Sequence, residues 1–320
     1  MKHQRGAALL AAMLTVTLVA SFAAAALWQQ WRSVEIESAD RQRVQSTWIL
    51  TGALDWARLI LREDNPSVDY LAEPWAVPLQ EARLSTFLAA DQSNNAMTET
   101  GGDADQVFLS GDITDLQSRL NVSSLIEAGI VQEKRLNAFR RLFDVLRLPE
   151  AQLARMAENL RFASDISTDN RSAAQAPLMP QRVDQLVWLG LAPETVAALE
   201  PYVTVLPQIT PVNLNTAPAE VIYSAIQNIS LADAQRLVAE RERQHFRNLD
   251  DVKALLPQGT PFENNTLSFG SSYFEVRGRL RIDDVVIEEH SIVQRLGREI
   301  RTLQRERGAT EAFAATEIKR

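Results

Sequence analysis

Arg5-Gly6-Ala7-Ala8-Leu9-Leu10-Ala11-Ala12-Met13 opens the stretch that decides how this chain folds, an uncharged apolar run that continues to Trp31. From Ala7 to Trp28 the only polar side chains besides the Trp28 indole are Thr15, Thr17 and Ser21. At about 1.5 Å per residue this run is long enough, as a helix, to cross a hydrocarbon core of roughly 30 Å. Lys2 and Arg5 precede it, and cationic flanks stay on the cytoplasmic side. Everything beyond Trp31 is then expected outside the cytoplasm.

Three readings fit the segment itself: an uncleaved anchor, a secretory signal peptide cut after Ala23–Ala26, or a prepilin leader cut after Gly6. The run exceeds an ordinary signal-peptide core of about 7–15 residues. A glycine before the scissile bond leaves the backbone free to extend. Residues 32–62 bear on the choice. They contain no proline and one glycine, Gly52, and they mix Glu35, Glu37, Asp40, Arg41, Arg43, Asp55 and Arg58 with apolar residues that thicken toward Leu61. The spacing predicts one continuing amphipathic helix, solvated first and packed on a domain later, ending at Asn65-Pro66. A helix shared by membrane and domain fits a pilin-like stalk better than a signal peptide removed in its middle.

Composition is that of a folded protein: 320 residues, 46% hydrophobic and 23% charged. The net charge of −8 opposes nucleic acid. With no cysteine there is neither a disulfide nor a thiol nucleophile. His3 lies in the leader, and His245 and His290 are far apart and read as surface residues. No Gly-x-Ser-x-Gly, His-Glu-x-x-His or phosphate-loop sequence occurs, and Asp250-Asp251 and Asp283-Asp284 read as turns, so no enzyme is expected.

Residues 66–112 read as turn-rich, with one or two short strands around Gly111 between Gln106 and Asp115. From 121 to 256 the pattern is helical, with helices expected at 136–147, 150–161, 182–189, 193–202, 218–227, 231–244 and 249–255. Ser123, Thr216, Ser230 and Asn248 are candidate caps. Tyr273–Ile282 and Val285–Val293 flank Asp283-Asp284 as a β-hairpin, and the tail after Gly308 reads as poorly ordered. The expected fold class is α+β: a long N-terminal transmembrane and amphipathic helix packed on a small antiparallel sheet, with a large all-helical insertion.

Within that insertion, Val212-Asn213-Leu214-Asn215-Thr216-Ala217 through Arg241 and Phe246 looks like a helix-hairpin-helix element. Its inter-helix loop, Gln227–Leu231, lacks the glycines of phosphate-binding versions. Residues 211–256 hold five Arg or Lys against six Asp or Glu, so no basic patch attracts DNA. A membrane-tethered DNA-binding protein is the alternative reading, and a packing role for the hairpin is preferred.

Five segments in order complete the picture: Arg5–Leu10, Leu71-Ala72-Glu73-Pro74-Trp75-Ala76, Gly111–Asn121, Val212–Ala217 and Ser272-Tyr273-Phe274. With these the chain resembles the K-type minor pseudopilins of the bacterial type II secretion system. The resemblance implies a leader (1–6), a transmembrane helix (7–31) and a stalk helix (32–65). A pilin-like domain (66–120 and 258–307) then carries an inserted helical domain (121–257), before a flexible tail (308–320). It implies cleavage between Gly6 and Ala7 by a prepilin peptidase, with N-methylation of Ala7 in question because Phe or Met is commoner there. Ala11, fifth from Ala7, replaces the usual pilin glutamate, as suits a subunit with no neighbour ahead at the filament tip. Expected partners are the I- and J-type minor pseudopilins, the prepilin peptidase and the secretion machinery, at the inner membrane and without nucleic acid. No cofactor is required. Calcium is the one metal the resemblance admits, with Asp103, Asp105, Asp283 and Asp284 as unranked oxygen donors.

Overall fold

The computed structural model describes residues 4–86, 107–165, 176–262, 265–282 and 285–311. The chain forms two bodies, Met1–Ala53 and Leu54–Arg320. Helix α1 (Gln4–Glu63) supplies all that is described of the first and the opening turns of the second.

In the first body the side chains of Leu9, Leu10, Leu14, Leu18, Phe22 and Leu27 are exposed, so the apolar run has no protein cover. Its best window has a mean hydropathy of 2.2. The three hydroxyls turn back on the helix: Thr15 donates to the Ala12 carbonyl (2.8 Å), Thr17 to that of Met13 (3.0 Å) and Ser21 to that of Thr17 (2.8 Å). Hydroxyls satisfied this way are compatible with hydrocarbon. Trp28 and Trp31 lie with ring centroids 5.4 Å apart at the end of the run, where aromatic residues favour a membrane interface.

The second body is built on a five-stranded antiparallel sheet: β1 (Leu79–Arg83), β2 (Val107–Asp115), β3 (Tyr273–Ile282), β4 (Val285–Leu296) and β5 (Glu299–Glu311), paired in chain order. From α1, Leu54, Ala57 and Leu61 follow helical spacing and pack with Trp75, Phe274, Val276, Val293 and Ile300. Strand alternation sends Phe274 and Val276 to this face and Glu275 and Arg277 to the other. Each fully buried aliphatic side chain here contributes about 1.5–3 kcal/mol.

Between β2 and β3 the chain leaves the sheet and returns beside the strand it left. The intervening residues hold α2 (Glu133–Val145), α3 (Glu150–Ser164), α4 (Pro193–Leu199), α5 (Ala219–Ala225), α6 (Leu231–Arg243) and α7 (Leu249–Lys253) around their own core. Phe139, Phe143, Met156, Leu160, Leu186 and Leu237 are among its buried members. Ser230 caps α6 in a reciprocal capping box with Asp233, and Asn248 caps α7.

Several sequence expectations need correction. Ser123 and Thr216 cap nothing: Asn121 caps the 3-10 turn at Val122–Leu125, and Pro218 precedes α5. Residues 183–189 form a 3-10 rather than an α-helix. Asp250 and Asp251 lie in the first turn of α7, where carboxylates complement the helix dipole, not in a free turn. The one or two strands expected between Gln106 and Asp115 form as one, Val107–Asp115, whereas β1 lies in the stretch read as turns. The C-terminal unit is a three-stranded meander, because β5 pairs along the whole of β4 and runs through Gly308 to Glu311, past the expected start of the tail. Beside its backbone ladder with β4 and the burial of Ile300, β5 is tied by charge. The buried Glu289 accepts from Arg305 (2.7 Å) and Arg307 (2.6 Å), a ladder that apolar patterning does not reveal.

Candidate functional site

Two places carry the residues singled out by sequence. Gly6, Ala7 and Ala11 all lie in the opening turns of α1, with Ala11 exposed. Asp103, Asp105, Asp283 and Asp284 lie outside the described residues.

The second place is a buried polar joint where four of the five quoted segments meet. Asp115 ends β2 with its carboxylate inside the fold. Asp115 Oδ2 accepts from the Thr216 and Ser271 hydroxyls (2.6 Å each) and from Asn213 Nδ2 (3.0 Å), and its Oδ1 accepts from the Gln117 amide (2.7 Å). Asn213 Nδ2 also donates to Ser271 Oγ (3.0 Å) and to the Asp69 carbonyl (3.2 Å). One asparagine therefore holds the insertion to the sheet and to the segment after α1. Gln117 adds a second tie, donating to the Pro211 carbonyl (3.2 Å) and accepting from the Ser272 amide (2.7 Å). Asn215 faces the other way and pairs with both backbone groups of Phe246, 2.8 and 2.9 Å away.

Arg295, near the end of β4, lies beside this network. Its Nη1 donates to Asp64 (3.0 Å), and its Nη2 donates to Asp69 and to the Ser271 carbonyl (2.8 Å). The guanidinium also lies 4.9 Å from the Phe274 ring centroid, and that ring meets Trp75 edge-on at 5.2 Å. Glu73 Oε2 accepts from Trp75 Nε1 (2.7 Å) and the Tyr70 amide (3.0 Å). Burial pushes the Asp69 carboxyl up to about 7 even though Arg295 pulls it down. Burial likewise raises Asp115 against its four hydrogen bonds, and raises Glu73.

Asp64, Asp69 and Glu73 bring carboxylate oxygens within 4.8 Å of one another, a geometry open to a cation. Arg295 supplies positive charge there and binds two of the three. Chemically the joint is a lock between chain segments: its hydroxyls and amides are spent on one another. Asp115, Asn213 and Thr216 lie inside the sequence motifs, whereas Asp69 and Arg295 lie in none. The available signal was an arginine two residues after the apolar pair Ile292-Val293. His245 stacks on Tyr70 at 4.0 Å, and His290 lies 3.6 Å from Glu275, so neither joins the other.

Two family models, each described as type II secretion system protein K, match residues 118–208 and 212–270. Among curated proteins, the type II secretion system protein K of Pseudomonas aeruginosa is 26% identical over 308 residues, covering 88% of this chain and 86% of that protein. Its counterpart in Pectobacterium carotovorum subsp. carotovorum is 24% identical over 333 residues, covering 96% and 97%. Among solved structures, a chain of the GspK-GspI-GspJ complex from the type 2 secretion system of enterotoxigenic Escherichia coli shares the fold. The TM-score is 0.58 at 17% identity, covering 84% of this chain and 98% of that one.

Proposed function

Because this chain belongs to the type II secretion system protein K family, whose members are minor pseudopilins, we propose that it is the tip subunit of a pseudopilus that supports export of folded proteins. It is a structural component of that machinery, and no catalytic role is assigned to any residue. The carrying observation is the position of Ala11 within an apolar helix that has no protein cover. A carboxylate at that depth in a membrane is costly unless paired, and a subunit with none ahead of it has nothing to pair with.

In this reading a prepilin peptidase cuts between Gly6 and Ala7, leaving Ala7 as the mature, methylatable terminus. The helix sits in the inner membrane with Lys2 and Arg5 cytoplasmic and the Leu54–Arg320 body periplasmic. The partners are the I- and J-type minor pseudopilins, in keeping with the complex in which the similar solved chain was found. Small residues such as Ala12, Ala20 and Ala23–Ala26 allow close approach of their helices.

The α5–α6 pair, helix-hairpin-helix-like in sequence, serves packing. Arg241 of α6 donates inward to the Leu214 carbonyl (2.6 Å) and to that of Ala217, and burial lowers its guanidinium to about 10. The membrane-tethered DNA-binding reading has no support. Mass spectrometry of the chain expressed with and without a prepilin peptidase tests the proposal. A peptidase-dependent start at Ala7, lost in Gly6→Val, is expected, whereas a start near Trp28 would overturn it.

A further inference from the structure

Between the helical insertion and the sheet face turned away from α1 lies a cleft of about 340 Å³, within the usual size of a ligand site. Its charged lining is mostly paired. Arg182 holds both oxygens of Glu306 at 2.9 Å and Asp184 at 2.8 Å. Arg277 holds Glu275 at 2.8 Å. Arg119, which follows the 3-10 turn at Leu116–Ser118, is different: it makes no hydrogen bond and no ion pair with any described residue. The residue is half-buried, and burial pushes its guanidinium below the ordinary arginine value, with the Arg277 charge adding to the fall and Glu275, Glu200 and Asp115 opposing it.

An arginine held this way has its planar fork of donors open to solvent, and a carboxylate matches that fork with two parallel hydrogen bonds. The rest of the cleft limits what else fits. Three guanidiniums face four carboxylates, those of Asp184, Glu200, Glu275 and Glu306. That excess of carboxylates repels a multiply charged phosphate more strongly than it repels a single carboxylate paired with Arg119. Leu116, Val205 and Ile292 supply the apolar part of the lining, the first two of them nearly buried.

We propose that this cleft is a carboxylate-binding site for a polypeptide, with Arg119 gripping an acidic side chain or chain-terminal carboxylate and the apolar lining taking a neighbouring aliphatic residue. The site is separate from α1 and from the helix-mediated assembly proposed above.

The test is a peptide titration of the full chain in detergent micelles, read by NMR of [15Nε]-arginine. The probes are N-acetyl-Leu-Glu-Leu-amide, N-acetyl-Leu-Leu as the free acid, and N-acetyl-Leu-Gln-Leu-amide. At least one acidic probe is expected to bind about tenfold tighter than the Gln probe, and which one does so identifies the source of the carboxylate. Arg119→Gln should abolish that preference, and Arg119→Lys should keep part of it. Glu200→Gln, on an exposed position, should tighten acidic binding severalfold by removing a competing charge. Equal affinity for acidic and Gln probes, or a preference that survives in Arg119→Gln, would overturn the proposal.

Discussion

The Arg295 guanidinium meets the Asp69 carboxylate wholly inside the fold, the two side chains being 1% and 0% exposed. A buried pair of this kind contributes little net stability, because desolvation offsets the attraction, but breaking it strands a charge. Measured above pH 7, where Asp69 is ionised, Arg295→Met should therefore cost about 3–5 kcal/mol. The double variant Arg295→Met/Asp69→Asn should recover part of that loss. Chemical unfolding of the detergent-solubilised chain measures both, and a loss under about 1 kcal/mol in Arg295→Met would show that the pair is not holding the joint.

The same carboxylate makes stability depend on pH in a stated direction. Asp69 rises from 3.8 to about 7 in the folded chain, so the folded state holds the extra proton between those values. Unfolding free energy must then fall as pH rises through that window, by on the order of a few kcal/mol, and level off above it. Burial raises Asp115 and Glu73 too, which adds to the same slope. The melting temperature should be higher near pH 5.5 than near pH 8, and Asp69→Asn should flatten the difference. An unchanged slope in Asp69→Asn would assign the dependence elsewhere.

The long helix and β3–β4 are legible in sequence because apolar periodicity runs along them without interruption. The joint is not, because Asp69, Asp115, Asn213, Ser271 and Arg295 come from five distant segments and no local pattern links them. Only their neighbours, Trp75, Leu116, Leu214 and Phe274, look like core. Strand β5 was hidden for a related reason. Its residues Arg305 and Arg307 are satisfied by Glu289 rather than by apolar contact, so residues 299–307 carry no strand pattern, and only the stretch after Gly308 reads as a tail.

The amphipathic half of α1 gives a sharper contrast. Leu61 is fully buried against the sheet, whereas Leu59 is 43% exposed. Leu61→Ala should cost about 2–5 kcal/mol through lost burial and a cavity. Leu59→Ala should stay within about 1 kcal/mol, since no packed site is emptied. Similar losses at both positions would mean that Leu59 is covered in the protein as it exists in solution.

Gly111 tests how the sheet closes. It lies opposite Gly278 in the β2–β3 pairing, and a Cβ there would come within 2.6 Å of the Arg277 carbonyl oxygen. That obstacle is backbone, so a side chain cannot be accommodated by a rotamer change, and the two central strands must move apart. Gly308, also in a strand, has nothing within 4 Å of its Cβ position. Gly111→Ala is thus expected to destabilise by about 1–3 kcal/mol, the usual cost of overpacking. Gly308→Ala should be neutral or slightly stabilising, since alanine restricts the unfolded chain. The sequence shows both glycines alike, and around the first it leaves open whether one strand or two form. The difference lies in the partner strand: an equal response from the two variants in thermal unfolding would mean that β2 and β3 are not in the register that places Gly111 against Arg277.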